Sequence, residues 1–215
     1  MKKKGLRTVF CCVYCVLAVV GVAADFGFFT GNLTRRPFVF YTSLSNMVCS
    51  AFMFAALLQS FRREKRELWP MAKFVFTVMI LVTAIVFNLL LNAYQSVAAY
   101  FANVKNSLYH LILPVLFFAD WLLFYRRGAV RAVYPLVAVV PPLVYVTYIL
   151  IRAGIVKTLG LTANVLYPYF FLNVDRLGWG GFALWMGILL VGLLALGYGL
   201  YALDRLLCKK VPTAV

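Results

Sequence analysis

The sequence predicts an all-α bundle of six transmembrane helices, a single domain over residues 1–215, with both termini in the cytoplasm. Three observations carry that expectation. Of the 215 residues 65% are hydrophobic and only 13% are charged, against about 25% charged in an ordinary soluble domain. A globule this small cannot hide so much apolar surface, so lipid has to solvate much of it. The apolar residues also fall into six runs of about 20 or more, the length a helix needs to cross roughly 30 Å of hydrocarbon. Finally, the connections between those runs alternate between rich and poor in Lys and Arg.

The first run, 7–29, follows Lys2-Lys3-Lys4. A basic start, an apolar stretch and Gly21-Val22-Ala23-Ala24 also describe a cleavable signal peptide. This run is longer than a signal-peptide core and continues past the small residues to Phe29, so an uncleaved first helix is expected. Residues 31–37 lead to the second run, 38–61, with Thr42 and Asn46 in its first half. Residues 62–70 precede the third, 70–98, which holds Asn88 and Asn92. A short link at 103–106 opens the fourth, 106–125, with His110, Pro114 and Asp120. After 126–131 comes the fifth, 133–153, in which Pro141-Pro142 is a potential break. The connection 154–178 is the longest. Its segment Leu166-Tyr167-Pro168-Tyr169-Phe170-Phe171-Leu172 is too apolar for a solvated loop and predicts an interfacial or re-entrant segment. Trp179 is placed to anchor the sixth helix, 179–203, at the headgroups.

Orientation follows from the basic residues. Lys2, Lys3, Lys4 and Arg7, then Arg62, Arg63, Lys65 and Arg66, then Arg126, Arg127 and Arg131, then Arg205, Lys209 and Lys210 fall on one side, with Lys73 near it. Arg35, Arg36, Lys105, Arg152, Lys157 and Arg176 fall on the other. The richer side is cytoplasmic by the positive-inside rule. The net charge of +15 is thereby explained without nucleic acid as a partner. Cys11, Cys12, Cys15 and Cys49 lie within apolar runs and read as small packing residues. With one His in the chain and no clustered ligands, neither a metal site nor a cofactor is expected.

Polar groups in hydrocarbon are expensive and mark functional sites by default. At 1.5 Å per residue, Asp25, Thr42, Asn46, Asn88, Asn92, His110, Tyr145, Tyr148 and Arg152 come from five helices yet share the outer half of the bundle. Thr42/Asn46 and Asn88/Asn92 are each i, i+4 pairs, so each projects from one helix face and should look inward. Such residues also serve as interhelical glue. His110 with Thr42 points further, because a neutral imidazole accepts a hydroxyl proton. Asp120 lies roughly 15 Å deeper on the His110 helix and is expected to pair with Arg126 or Lys73. Asp25 is at a depth to orient His110. Asn32-Leu33-Thr34 is a formal glycosylation sequon on the outer side.

Phe40-Tyr41-Thr42-Ser43-Leu44-Ser45-Asn46, Tyr109-His110 with Pro114 and Asp120-Trp121, and Tyr167-Pro168 before the last helix resemble one family. It is the androgen-induced and androgen-dependent membrane proteins with their bacterial six-span relatives, and the resemblance covers nearly the whole chain in helix count and motif order. The His-to-Pro spacing differs slightly from the animal members, which points to the bacterial branch and an inner-membrane location. The resemblance implies an intramembrane threonine hydrolase acting on fatty acid esters of hydroxy fatty acids, with the Thr and His at Thr42 and His110. Asn46, Asn88 or Asn92 would then donate to the oxyanion, and Arg152 would take a substrate carboxylate. The expected partners are a lipid substrate and the bilayer, with the oligomeric state open. The rival expectations are a transporter or channel for a small solute or protons, and a non-catalytic binding protein.

Overall fold

A computed structural model describes residues 2–62, 69–92 and 96–209. Of the basic residues that orient the chain, Arg63, Lys65, Arg66 and Lys210 lie outside the described residues, as do residues 93–95 of the third apolar run. The described chain is all-α. Six of its helices are long and apolar enough to cross a membrane, as expected from the six apolar runs, and the protein is an integral membrane protein.

Helix α1 (Lys2–Asp25) stops four residues short of the expected end. Gly27 follows at φ +84°, in the left-handed region, where a Cβ would collide with the Asn32 carbonyl. A 3-10 turn at Arg36–Val39 built on Pro37 then delays α2 (Tyr41–Phe61). Helix α3 (Pro70–Leu91) closes on a π turn, Phe87–Leu91, in which Asn92 N–H donates to Phe87 O at 2.8 Å. The residues beyond it form a separate short helix, α4 (Val97–Ala102), capped by the Ser96 hydroxyl. Asn103 caps α5 (Val104–Phe124), which contains a second π turn at Leu108–Ile112.

Helix α6 (Tyr134–Thr158) is irregular at residues 138–139 and resumes at Val140 with Pro141 and Pro142 in its first turn. Proline is tolerated there because those N–H groups lack intrahelical acceptors anyway. Helix α7 (Val174–Lys209) is kinked at Gly178, φ 66°. The connection between α6 and α7 is therefore shorter than predicted, and its apolar segment folds inward: Tyr169, Phe171 and Leu172 are buried.

Helices α1, α2, α3 and α5 pack around Cys11, Tyr14, Cys49, Phe52, Phe74 and Phe117. At one end of this core Asp120 is fully buried between Lys73 Nζ at 2.8 Å and Arg7 Nε at 3.5 Å. Lys73 also donates to Phe117 O at 3.1 Å and sits over the Phe117 ring. Lys73 is one of the two expected partners of Asp120; Arg7 is an addition. Nearby, Asp204 of α7 pairs with Arg127 and accepts from Val130 N–H. Arg7 near the start of α1 and Asp204 near the end of α7 thus lie at the same end of the bundle. The polar cluster that includes Asp25, Thr42 and His110 lies toward the other end.

Candidate functional site

Thr42 is the second residue of α2, and its backbone N–H is one of the first-turn donors without an intrahelical acceptor. Tyr169, brought over by the inward-folded connection, takes that donor: Thr42 N–H lies 3.3 Å from the Tyr169 hydroxyl, and Thr42 Oγ1 lies 3.4 Å from it. Burial pushes the Tyr169 phenol up from its ordinary pKa, and its hydrogen bonds with Thr42 pull the other way. The net direction is up, so the group is a neutral phenol that can donate.

The Thr42–Tyr169 pair sits on the wall of a cavity of about 380 Å3 enclosed by α2, α3, α6, α7 and the inward connection. Hydroxyls of Thr42, Thr83, Tyr41, Tyr145 and Tyr169 are the polar groups among its lining side chains; the rest is aliphatic or aromatic, with Phe87, Phe182 and Met186 representative. Leu91, Leu143 and Leu190 line the cavity and are exposed. The cavity is therefore partly open rather than sealed.

His110 is buried in the π turn of α5 and stacks face to face on Phe87, ring centroids 3.4 Å apart. Its Nδ1 lies 3.3 Å from Asn106 O. A carbonyl only accepts, so Nδ1 carries the hydrogen and Nε2 holds the lone pair, the tautomer a general base needs. Phe87 lines the cavity and His110 does not. No hydrogen bond joins Thr42 to His110 in this structure; the two are neighbours through Asn46, whose Nδ2 donates to Thr42 O at 2.9 Å and to Tyr109 O at 3.2 Å.

The other sequence candidates have partners of their own. Asn88 Nδ2 donates to Ala84 O at 2.8 Å and to His110 O at 3.1 Å. Both hydrogens of Asn46 and both of Asn88 are committed to carbonyls, which leaves neither amide free to hold an oxyanion. Two of those carbonyls belong to the π turn of α5, where the wider hydrogen-bond register disturbs the ordinary ladder. Asn92 ends the π turn of α3 with its Oδ1 buried and unpartnered. Asp25 pairs with Lys105 at 2.5 Å rather than with His110. Arg152 donates to Val165 O and Leu166 O at 2.9 and 3.2 Å, tying the inward connection to α6.

Tyr169 is the site residue that the sequence did not single out; the run Tyr167-Pro168-Tyr169, apolar and in a connection, was its only trace. Among the described residues no group of His, Cys, Asp and Glu could hold a metal ion. Compared with protein-family models, curated proteins and solved structures, the chain matches none.

Proposed function

We propose that the protein is an intramembrane lipid-ester hydrolase in which Thr42 is the nucleophile and His110 the general base. The observation that carries this reading is Thr42 on the wall of an apolar cavity whose exposed leucines would admit a lipid from the side. A volume of about 380 Å3 lies within the range of roughly 300–1,000 Å3 typical of small-molecule sites, and its lining suits an acyl chain. The chemistry fits fatty acid esters of hydroxy fatty acids and related lipid esters. A polar solute or proton path would want a hydrated lining, which this cavity lacks.

Thr42 Oγ adds to the ester carbonyl carbon while its proton passes to His110 Nε2. The tetrahedral intermediate collapses to an acyl-Thr42 ester, and the leaving alkoxide takes the proton back from His110. Water then attacks the acyl-enzyme by the same route and frees the acid. The mechanism requires His110 Nε2, now stacked behind Phe87, to come within reach of Thr42 Oγ once substrate is bound; hydrogen bonds of catalytic pairs are commonly long or unmade before substrate binds. The site lies in the outer half of an inner membrane of a bacterium, with both termini cytoplasmic.

A lipid-tailed fluorophosphonate should label the wild-type protein covalently and fail to label Thr42→Ala. His110→Ala should abolish turnover as completely as Thr42→Ala, with the double variant no worse, because groups that act as a unit are not additive. Partial losses that multiply would overturn the pair. Orientation is tested separately: reporters after residue 62 and at the C-terminus should read cytoplasmic, and one within 160–172 external.

A further inference from the structure

We infer that Tyr169 is the oxyanion donor of this site, its phenol O–H bonding the negative oxygen that forms when Thr42 attacks an ester. The inference rests on the hydrolase reading and names a residue that reading does not need. The oxyanion is bonded to the same carbon as the attacking Thr42 Oγ, so a donor about 3 Å from it must also stand close to Oγ. Tyr169 does, at 3.4 Å from Oγ1. The side-chain amides of Asn46 and Asn88 do not qualify, because each has spent both hydrogens on carbonyls.

Three further features fit the role. The Tyr169 oxygen already occupies the mouth of the α2 first turn, accepting from Thr42 N–H, where the helix dipole favours negative charge. Its ring is fixed by stacking on Phe171, centroids 5.2 Å apart, and by an edge contact with Phe40. Tyr169 lines the apolar cavity, and in such surroundings a preorganised donor is worth more than in water. In the reaction the carbonyl π pair moves onto oxygen as the Oγ–C bond forms. Tyr169 keeps its proton throughout and only shares it, and on collapse the C=O re-forms and the alkoxide leaves with the His110 proton.

The test compares wild type with Tyr169→Phe, which keeps the ring and its stacking and removes only the hydroxyl. The rate of Thr42 labelling by the lipid-tailed fluorophosphonate, whose phosphoryl oxygen also becomes anionic in the transition state, should fall by roughly 10²–10³-fold, the usual loss of one oxyanion donor. With an ester substrate kcat should fall and KM stay within about twofold, since the bond forms in the transition state. Labelling of Tyr169→Phe at the wild-type rate overturns the inference and leaves Thr42 as nucleophile. Failure of wild type to label at Thr42 overturns the hydrolase reading itself. Should Tyr169→Phe lose its thermal transition, fluorotyrosine at position 169 retains a more acidic O–H; a faster rate supports the donor role, and an unchanged rate overturns it.

Discussion

Asn46 of α2 reaches across to the carbonyl of Tyr109 in α5, at 3.2 Å, while its other hydrogen goes to the Thr42 carbonyl four residues back. One amide thus sets the spacing between the backbones that carry Thr42 and His110. Asn88 does the same from α3, donating to the His110 carbonyl at 3.1 Å. The π turn at Leu108–Ile112 is held from two sides by amides of neighbouring helices, and His110 is held with it. Unsatisfied backbone groups cost several kcal/mol in hydrocarbon, which is why such a turn needs these donors.

Asn46→Leu should therefore act first on stability. An interhelical hydrogen bond in a membrane protein contributes about 0.6–2 kcal/mol, so the thermal transition in detergent should fall by several degrees, with activity lost in parallel. A loss of activity of roughly 10²–10³-fold at unchanged stability would instead mark Asn46 as an oxyanion donor. Thermal melting and turnover on the same purified variant separate the two.

At the opposite end, the buried Lys73–Asp120 pair should show strong coupling. Removing one partner of a buried pair leaves an uncompensated charge and costs about 3–5 kcal/mol, so Lys73→Met and Asp120→Leu should each be severely destabilised. The double variant should recover part of that loss, since two apolar residues replace the pair. Recovery should be incomplete, because Arg7, 3.5 Å from Asp120, then loses its carboxylate. A double-mutant cycle on thermal stability measures the coupling; additive losses would mean the pair is not a unit.

The sequence read the class of fold well because hydrophobicity is a direct physical demand of the bilayer. Six runs of sufficient length have few other solutions, and Asp120 within an apolar run needs a base at its depth, Arg126 or Lys73, of which Lys73 meets it. Helix ends were less legible. The end of α1 depends on Gly27 adopting a left-handed φ, and the end of α3 on a π turn, neither of which alters hydropathy. That the amide of Asn46 faces inward followed from its i, i+4 spacing with Thr42, whereas Asn88 is exposed and still reaches across to the His110 carbonyl. Their partners across the bundle did not follow from spacing, because the Tyr109 and His110 carbonyls belong to an irregular turn on another helix. Tyr169 was hidden for a similar reason: its place beside Thr42 is created by a connection folding back over 127 positions of sequence.

Arg152 illustrates how structure redirects a functional expectation. Its guanidinium donates to the carbonyls of Val165 and Leu166, so it holds the connection that delivers Tyr169. Arg152→Gln should lower turnover of free-acid esters and of their methyl esters alike, by loosening that connection. A raised KM confined to free-acid substrates would restore the carboxylate-clamp role. Steady-state kinetics on matched acid and methyl-ester substrates distinguish these outcomes.

The acyl-chain assignment of the cavity is tested at Gly187. This glycine of α7 lines the cavity, and a Cβ built there meets no heavy atom within 4 Å. A larger side chain can therefore enter without displacing backbone, and leaving glycine in a helix interior gains roughly 0.5–1 kcal/mol when the replacement is Ala. Gly187→Ala should keep activity, whereas Gly187→Phe should fill much of the cavity while leaving Thr42, His110 and Tyr169 in place. Each CH2 of a buried chain contributes about 0.8 kcal/mol, so excluding even two or three of them should lower kcat/KM for a long-chain ester by roughly tenfold or more. Short-chain esters, whose tails end before residue 187, should be turned over as by wild type. A chain-length series measured on wild type and Gly187→Phe supplies the comparison. Equal losses at every chain length would mean that the acyl group lies elsewhere.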